Sequence, residues 1–566
     1  MNARSLRSSL TPVALTLALA SSPWAQAGSV DSYQKWSGLA GTLPTSPIAG
    51  DAYASGLESI GDLDGDGIGD VAVGLGGSIA IGGTVWIQFL NADGTVRAVQ
   101  PITTGVGGFS GQLDAYDRFG RSIANLGDLD GDGVTDIAVS AHGDDDGGDA
   151  RGAVYVLFLN VDGTVKAEQK ISSTQGDFVG ALSDDNWFGE GLTAPGDLDG
   201  DGVFDLIASS PRDDDGGVNR GALYVLFLET DGTVRNHVKI SSTVGAFLGQ
   251  LDDHDRFGED ALAFLGDEDG DGFPAIAVGT GGDDDGGTNR GAVWILELFP
   301  SGLVASFTKI SATSGGFTGT LADTDAFGSS VAPLDDFDGD GVGDLLVGAY
   351  ADSGNGGVSR GSIWILYMNA DGTVRGHEEI GEGAIGFRAD LDDLDYFGVD
   401  VTVIDDLDGN GVKEVVVGAF YDDDDGVDAG AAYVLYLEPC AVPASATSRN
   451  AGTNPDSYVA DSPVLGEPWT GTVDLSTTGH AFAAVFGFDT AFQFTLSGGQ
   501  TLLVVDGFGS GELLGLPLQA GPTATFQVDV PLITTLCGMT VATQAAHVGG
   551  VTPFALSNAQ DLVLGT

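Results

Sequence analysis

Short apolar runs, separated by loops rich in Asp and Gly, recur through most of the chain. Runs that are rich in Val, Ile and aromatic residues predict β-strands, and the Asp162-Gly163 pair predicts a tight hairpin turn between two of them. No helical period accompanies these runs. The pattern therefore predicts four antiparallel strands per unit and an all-β fold. In one unit, the four predicted strands cover residues 119–123, 137–140, 153–159 and 165–171.

The unit is repeated six times and is marked by a nine-residue acidic loop, Asp-x-Asp-Gly-Asp-Gly-x-x-Asp in its most regular copies. Successive copies begin about 70 residues apart. A fixed period of this length indicates one supersecondary unit that packs against its neighbours. Four short antiparallel strands per unit are typical of a β-propeller blade. The loops begin at Asp62, Asp128, Asp197, Asp267, Asp336 and Asp406.

The two ends of the repeated region predict how the ring closes. After residues 432–437, the third strand of the last unit, no fourth strand follows, because Pro439 and Pro443 intervene. At the other end, residues 29–36 have the same pattern as the fourth strand at 164–171. We therefore predict a six-bladed propeller in which an N-terminal strand completes the last blade and removes an exposed sheet edge. Seven blades stay open as an alternative.

The remaining sequence predicts an exported protein with a second domain. Residues 1–27 have Arg4 and Arg7, a short apolar run and a small-residue cleavage site, as a signal peptide does. Residues 28–439 form the predicted propeller and 440–460 a linker. The strand-like runs in 461–566 predict a small β-sandwich. Cys440 and Cys537 predict one disulfide in an oxidising compartment, with two buried free thiols as the alternative.

Charge narrows the range of partners. The chain has 82 acidic and 21 basic residues and a formal charge of −61. Nucleic acids and anionic membranes require basic surfaces, so both are poor partners. No run after the signal peptide is long and apolar enough to insert into a membrane. Cations, cationic surfaces and neutral glycans remain, and the predicted location is secreted or at the cell surface.

The nine-residue loops predict calcium sites. Ca²⁺ prefers six to eight oxygen ligands, and this loop offers side chains at positions 1, 3, 5 and 9 together with the carbonyl at position 7. Without a cation, four neighbouring carboxylates would repel one another. The predicted ligands are Asp62, Asp64, Asp66, Ile68 and Asp70; Asp128, Asp130, Asp132, Val134 and Asp136; Asp197, Asp199, Asp201, Val203 and Asp205; Asp267, Asp269, Asp271 and Phe273; Asp336, Asp338, Asp340, Val342 and Asp344; and Asp406, Asp408, Asn410, Val412 and Glu414.

The six copies are not equivalent. An EF-hand is excluded, because its twelfth loop position would fall on Val73 or Val139 in apolar strands. The fourth copy has Ala275 where the others have an acid, so we expect the Asp267 site to be the weakest. The sixth uses Asn410 and Glu414, which still offer oxygens. We expect five or six Ca²⁺ ions, bound at ~0.1–1 mM as in extracellular modules.

These features together resemble a known family. Phe119-Gly120, the loop from Asp128 to Asp136 and the strand after Gly152 are similar to the FG-GAP repeat of integrin α-subunit β-propellers and their bacterial relatives. The resemblance covers about residues 29–438 and implies Ca²⁺ sites at the matching Asp positions, with an adhesion or ligand-binding role. Integrin propellers have seven blades, whereas six are counted here. The Phe-Gly signature recurs at Phe188, Phe257, Phe327 and Phe397, and Tyr53-Ala54 departs from it.

Alternating strand direction predicts a second acidic ring on the face opposite the calcium loops. There the runs that begin at Asp144, Asp213, Asp283 and Asp422 meet acidic residues from the loops between blades. This ring could be a docking surface or a second set of cation sites, or only a solvated rim. Ion pairs with arginines that follow the runs would brace it: Arg151, Arg220, Arg290 and Arg360.

The sequence favours a binding protein over an enzyme. The histidines are scattered and no nucleophile is paired with a base. The first hypothesis is a Ca²⁺-stabilised adhesion or ligand-binding module with an extracellular protein or glycan ligand. The alternatives are a glycan-acting enzyme with its site on the acidic face and a structural coat component. Sequence does not decide the oligomeric state.

Overall fold

The computed structural model describes residues 30–437, apart from 39–42, 78–81, 268–269, 339, 355–356, 385–386 and 425, and strand segments with a few neighbouring residues between 445 and 563. The chain divides into two compact units. One contains residues 28–439 with 532–535, and the other contains 1–27, 440–531 and 536–566. The predicted signal peptide lies outside the described residues, as do Cys440 and Cys537 with their predicted disulfide.

The larger unit is a six-bladed β-propeller of four-stranded antiparallel sheets. After β1 (Val30–Trp36), blade 1 contains β2 (Tyr53–Gly61), β3 (Asp70–Leu75), β4 (Thr84–Leu90) and β5 (Val96–Ile102). Blade 2 contains β6 (Ile123–Gly127), β7 (Asp136–Ala141), β8 (Ala153–Leu159) and β9 (Val165–Ser172). Blade 3 contains β10 (Leu192–Gly196), β11 (Asp205–Ser210), β12 (Ala222–Leu228) and β13 (Val234–Ser241).

The other three blades repeat this order. Blade 4 contains β14 (Leu262–Gly266), β15 (Ala275–Thr280), β16 (Ala292–Leu298) and β17 (Val304–Ser311). Blade 5 contains β18 (Val331–Leu334), β19 (Asp344–Ala349), β20 (Ser362–Met368) and β21 (Val374–Gly381). Blade 6 contains β22 (Phe397–Val403), β23 (Val415–Ala419) and β24 (Ala431–Leu437). The fourth strand of blade 6 is β1, which pairs antiparallel with β24 and places Trp36 opposite Ala432.

Apolar side chains fill the space between each pair of neighbouring blades. In every blade the second and third strands are buried along their whole length or nearly so, as in β7 and β8. A separate buried cluster lies between each pair of neighbours, including the last and the first, where Trp36, Tyr53 and Trp86 belong to one cluster. Burial on both faces explains why these strands are continuous apolar runs in the sequence.

The inner strand of blade 2 begins later than the sequence predicts. Phe119 and Gly120 precede β6 in a turn, because the N–H of Phe119 donates to the carbonyl of Gly82 at 2.7 Å. Arg118 and Gly120 have φ angles of +57° and +96°, which a strand does not accommodate. The Phe-Gly pair of this blade therefore joins it to blade 1, and the strand starts only at Ile123.

In the smaller unit, the described residues are mainly β-strands. They form a six-stranded, a three-stranded and a two-stranded sheet. β25 and β26 lie within residues 440–460, which the sequence predicts as a linker, and the predicted sandwich stays a prediction. No helix among the described residues is long and apolar enough to cross a membrane. The strands are β25 (Ser445–Arg449), β26 (Tyr458–Ala460), β27 (Pro468–Asp474), β28 (Phe482–Phe488), β29 (Ala491–Thr495), β30 (Thr501–Val504), β31 (Leu514–Gly515), β32 (Gln519–Ala520), β33 (Thr523–Asp529), β34 (Thr540–Val548) and β35 (Phe554–Val563).

Candidate metal centres

Each acidic loop connects the inner strand of a blade to the second strand, and the first loop shows how it folds. The carboxylate of Asp62 accepts backbone N–H groups from Gly65 at 2.8 Å, Asp66 at 3.0 Å and Gly67 at 2.8 Å. Gly65 and Gly67 have φ angles of +80° and +91°, which glycine adopts without strain. In all six loops, the side chain at position 5 accepts the N–H of the residue at position 7, which is Ile68, Val134, Val203, Phe273, Val342 or Val412.

The ninth position holds a buried carboxylate that ties the loop to the sheet. Asp70 accepts the N–H of Leu63 within the loop and the N–H of Leu90 at the end of the third strand, both at 3.1 Å. Burial raises the pKa of Asp70 to about 6, although both hydrogen bonds act against the shift. This residue thus has a structural role whether or not an ion is bound. The same pair of hydrogen bonds is made by Asp136, Asp205 and Asp344.

Among the described residues, which leave out Asp269 of the fourth loop, carboxylates converge in five loops. In each of the five, one oxygen from each of three acidic residues lies within 4.8 Å of the others. That separation suits a single ion with metal–oxygen distances of ~2.3–2.6 Å. The five clusters are Asp62, Asp64 and Asp66; Asp128, Asp130 and Asp136; Asp197, Asp199 and Asp205; Asp336, Asp338 and Asp340; and Asp406, Asp408 and Glu414.

The donor atoms fit a hard divalent cation. All side-chain donors in the five clusters are carboxylate oxygens, which favour Ca²⁺ or Mg²⁺ over softer metals. Two of these oxygens, Oδ1 of Asp199 and Oε1 of Glu414, are buried and accept no hydrogen bond. A buried oxygen without a donor is unfavourable, and a bound cation would satisfy it.

A basic residue from the outer strand faces four of the loops. Arg97 contacts Asp64 at 2.6 Å and Asp66 at 3.1 Å, the side chains at positions 3 and 5. Because it lies beside the predicted ligands, this residue neutralises part of their charge when no ion is present. These bases were not among the residues predicted from the sequence, although all four occupy the second position of an outer strand. The other three contacts join Lys166 to Asp130 and Asp132, Arg235 to Asp199 and Asp201, and Arg375 to Asp338 and Asp340.

The fourth loop is held together without the missing acid. Leu298 donates its N–H to the carbonyl of Pro274 at 2.9 Å, in the place where other blades use the ninth-position carboxylate. Phe273 packs edge-on against Phe299, with ring centroids 5.1 Å apart. Backbone and aromatic contacts thus replace the carboxylate in this blade. Asp269, a predicted ligand, lies outside the described residues.

The sixth loop keeps its acidic ligands, but the side-chain amide of Asn410 also donates a hydrogen bond outside the loop. Glu414 accepts the N–H of Leu407 at 2.8 Å, as the ninth-position Asp does elsewhere. The side-chain nitrogen of Asn410 donates to the carbonyl of Leu437 at 2.8 Å, which ties this loop to the third strand. The outer strand here is β1, whose second residue is Asp31 rather than a base.

The acidic runs of the opposite face are braced by lysines, which were likewise not predicted from the sequence. Lys170, near the end of the outer strand of blade 2, contacts Asp144 at 2.7 Å and Asp146 at 2.8 Å. The shared position of these lysines could have revealed them in the sequence, because each is the sixth residue of its outer strand. The equivalent pairs join Lys239 to Asp213 and Asp215, Lys309 to Asp283 and Asp285, and Lys35 to Asp422 and Asp424.

The predicted arginine braces are confirmed. Arg151 contacts Asp184 at 2.9 Å and so joins the acidic loop of blade 2 to the loop that leads into blade 3. Ion pairs with lysine and arginine thus brace the acidic ring, which is hereafter called the acidic rim. Among the described residues, the acidic clusters that could hold an ion all lie in the nine-residue loops. The other three braces, each at 2.9 Å, are Arg220 with Asp253, Arg290 with Asp323 and Arg360 with Asp393.

Comparison with protein families identifies the repeat. A family model described as FG-GAP repeat matches residues 119–157, 188–226 and 327–366. Each match begins at a Phe-Gly pair, includes an acidic loop and ends in the third strand of the blade. The chain therefore contains FG-GAP repeats, as its motifs indicate.

Curated relatives are integrin alpha subunits. Integrin alpha-5 of Xenopus laevis is 34% identical over 171 residues, which cover 29% of this chain and 15% of that protein. Integrin alpha pat-2 of Caenorhabditis elegans is 29% identical over 255 residues, which cover 44% of this chain and 18% of that protein. The matched part of this chain thus spans less than a fifth of these relatives.

Solved structures share much lower similarity. The chain matches a member of the DUF4221 family from Bacteroides vulgatus with a TM-score of 0.35 and 9% identity, over 72% of this chain and 99% of that one. It matches the Dos1 propeller with a TM-score of 0.30 and 10% identity, over 65% of this chain and 75% of that one. Similarity at this level carries no information on function.

Proposed function

We propose that this FG-GAP protein is a secreted or cell-surface module that binds an extracellular ligand, and that Ca²⁺ stabilises its propeller. The proposal rests on one main observation: acidic clusters recur at equivalent positions of a propeller that is similar to integrin alpha subunits. Integrin alpha relatives are extracellular or cell-surface proteins that bind extracellular ligands. A signal peptide at residues 1–27 would bring this chain to the same compartment.

The ion would act as a structural clamp. In the first loop, Asp62, Asp64 and Asp66 would hold it, and Asp70 would link it to the second and third strands. When bound, the cation supplies positive charge to carboxylates that otherwise repel one another. Five such sites lie among the described residues, and the loop at Asp267 is the weakest candidate because Ala275 supplies no oxygen.

The proposal is of a binding protein without catalytic activity. Acidic residues that recur in every blade, already paired with Lys or Arg, suit a scaffold better than a single reaction centre. Loops on a rigid scaffold are common sites of ligand binding, and a propeller presents such loops around one face.

The test measures capture and folding together. The mature protein is incubated with cells and extracellular matrix fractions in Ca²⁺ and in EDTA, while circular dichroism and thermal melting follow the propeller. We expect capture in Ca²⁺, with a melting temperature that falls in EDTA. Absence of capture in Ca²⁺ by a folded protein would contradict ligand binding. An unchanged melting temperature in EDTA would contradict the calcium clamp.

A further inference from the structure

A cavity of about 870 Å³ lies at the centre of the propeller, on the face of the acidic rim. Its volume is within the range of ligand sites, about 300–1,000 Å³. The lining comes mainly from the residue before the Phe-Gly pair (Tyr53-Ala54 in blade 1) and from the residue after it, in all six blades. Residues just after the second strand add to it in blades 1, 4, 5 and 6. The site is therefore built by all six blades around the axis.

The repeats differ from one another at the first of these places. Each of the six residues has a positive φ, between +49° and +58°, so the backbone is the same in every blade. This conformation favours glycine, yet none of the six is glycine, and bulky residues there carry strain of a kind that often persists at binding sites. The six residues are Ala52, Arg118, Trp187, Arg256, Ala326 and Tyr396.

One side of the cavity is an aromatic wall from blades 5 and 6. Tyr396 packs against Tyr350, Phe420 and Tyr421, with ring centroids 5.2, 5.8 and 5.3 Å away. All four residues line the cavity, and Tyr421 is 38% exposed. A continuous aromatic surface of this kind stacks well against the flat face of a ring.

Three arginines also line the cavity, together with three acidic residues, Glu190, Glu259 and Asp260. Arg118, Arg121 and Arg256 line the cavity, although acids outnumber bases 82 to 21 overall. Arg121 pairs with Asp260, and Arg256 contacts Glu259 at 2.7 Å. Among the described residues, no carboxylate lies within salt-bridge distance of Arg118, unlike the arginines of the acidic rim. Its guanidinium is thus available to an anion.

Polar atoms at the base of the cavity lack partners. Glu190 is only 4% exposed, and its Oε2 has no hydrogen-bond partner. The same holds for Oδ1 of Asp260 and Nε of Arg256. Buried polar groups are normally satisfied, so three unsatisfied atoms in residues that line one cavity leave hydrogen-bonding capacity unused beside it.

We propose that this central cavity binds an acidic saccharide, a sugar ring that carries a carboxylate. The aromatic wall would stack on the ring, Arg118 and Arg256 would donate to its carboxylate, and Glu190 and Asp260 would bond its hydroxyl groups. Arg118, which lies in no salt bridge among the described residues, favours an anionic group on the ligand, and a neutral sugar would leave it without a counter-charge. This inference rests on the proposed ligand-binding function and names the ligand class and its site.

The test uses a uronic-acid tetrasaccharide as the probe and a neutral tetrasaccharide as its comparison. Calorimetric titration of the mature protein at one fixed, low Ca²⁺ concentration should show at least ten-fold tighter binding of the uronate, weakened by added salt. Arg118→Gln and Tyr421→Ala should each reduce uronate binding at least ten-fold with little change in melting temperature. Arg151→Gln, a rim arginine already paired with Asp184, should leave binding unchanged.

Absence of uronate binding, equal binding of the neutral sugar, or an equal loss in Arg151→Gln would overturn the proposal. Because Tyr421 is partly exposed, its variant keeps the test valid if Arg118→Gln folds poorly. Surface capture without uronate binding would refute this site and leave the proposed function standing. Uronate binding without surface capture would support the site and contradict the adhesion role.

Discussion

The two faces of the propeller use repetition in opposite ways. On one face, the acidic loops carry similar side chains on a similar backbone, with a ninth-position carboxylate in five blades and a basic residue beside positions 3 and 5 in four. On the other face, the residue before each Phe-Gly pair has the same left-handed backbone in all six blades, but its side chain ranges from Ala52 to Trp187. The backbone conformation is therefore repeated on both faces, whereas the side chains are repeated on only one.

This difference separates scaffold from binding surface. A feature that every blade needs for its own folding must recur, because each blade makes the same contacts with its neighbours. A ligand on the axis meets all six blades at once and has no reason to find six equal side chains. The acidic rim, with its recurring Lys and Arg partners, therefore belongs to the scaffold, and the central cavity does not.

The largest expected effect tests the scaffold side. Asp136→Ala would leave the N–H groups of Leu129 and Leu159 without acceptors. Each buried unsatisfied group costs about 1–3 kcal/mol, so losing two acceptors should lower the free energy of unfolding by about 2–6 kcal/mol. Denaturant titration in EDTA measures this without any contribution from a metal. Asp132→Ala, in the exposed part of the same loop, is the control, and its expected loss is much smaller. Equal losses would refute the structural role of the ninth position.

The next prediction uses the pH dependence of stability to distinguish the contributions of the two faces. Asp117 lies on the face of the acidic rim, in the loop that leads into blade 2, where its carbonyl accepts the N–H of Gly143 at 3.2 Å. Burial raises the pKa of Asp117 to about 7, and the nearby acids Asp144 and Asp114 add to the shift. A carboxyl whose folded pKa exceeds its ordinary value of ~4 takes up a proton on folding, so its contribution to stability falls as the pH rises from about 4 to about 7. Asp255 and Asp395 are shifted to about 7 for the same reason.

In saturating Ca²⁺ the loop carboxylates should stay ionised, so the remaining pH dependence comes from other buried carboxyls, among them Asp117, Asp255 and Asp395. We expect a higher melting temperature at pH 5.5 than at pH 8, on the order of a few degrees, because about 1 kcal/mol shifts the melting temperature of a large domain by a few degrees. Asp117→Asn should reduce that difference. A difference that stays the same in Asp117→Asn would show that it arises elsewhere.

A smaller effect concerns the bases beside the metal loops. Replacing Arg97, Lys166, Arg235 and Arg375 together with Gln removes the charges that contact positions 3 and 5. Because a nearby positive charge opposes cation binding, the four sites should fill at a several-fold lower Ca²⁺ concentration in calorimetric titration. Lys170→Gln on the opposite face is the control and should not move the midpoint. Weaker Ca²⁺ binding in the four-fold variant would contradict this role.

The smallest effect is expected from a single rim pair. Arg151 and Asp184 are both partly exposed, at 29% and 58%. Exposed pairs of this kind contribute about 0–1 kcal/mol, so Arg151→Gln should barely change the unfolding midpoint in denaturant. A large loss would mean that the rim is a cooperative element and that its repetition reflects more than local bracing.

The blades and metal loops could be predicted because their signals are local. Asp62 to Asp70 form one continuous loop, and the hairpin at Asp162-Gly163 joins strands that are adjacent in sequence. The late start of β6 could not be predicted, because the bond from Phe119 to Gly82 depends on packing between two blades.

The cavity and the lysine braces required the folded ring. Arg118 and Tyr421 are about 300 residues apart and line one cavity only because the six blades surround a common axis. Lys170 reaches Asp144 through the register of β8 and β9. A sequence repeat is recognised from positions that have the same residue type in each copy. The cavity is built from equivalent positions whose residue types differ between copies.

The most direct measurement compares surface capture by two variants in Ca²⁺, at a temperature where both are folded. One variant, Asp128→Asn with Asp130→Asn, disables a metal loop, and the other, Arg118→Gln with Tyr421→Ala, alters the central cavity. We predict that the loop variant melts at a lower temperature yet still captures the surface, and that the cavity variant keeps its melting temperature and loses capture. Loss of capture in the loop variant, with full capture by the cavity variant, would contradict the division between the two faces.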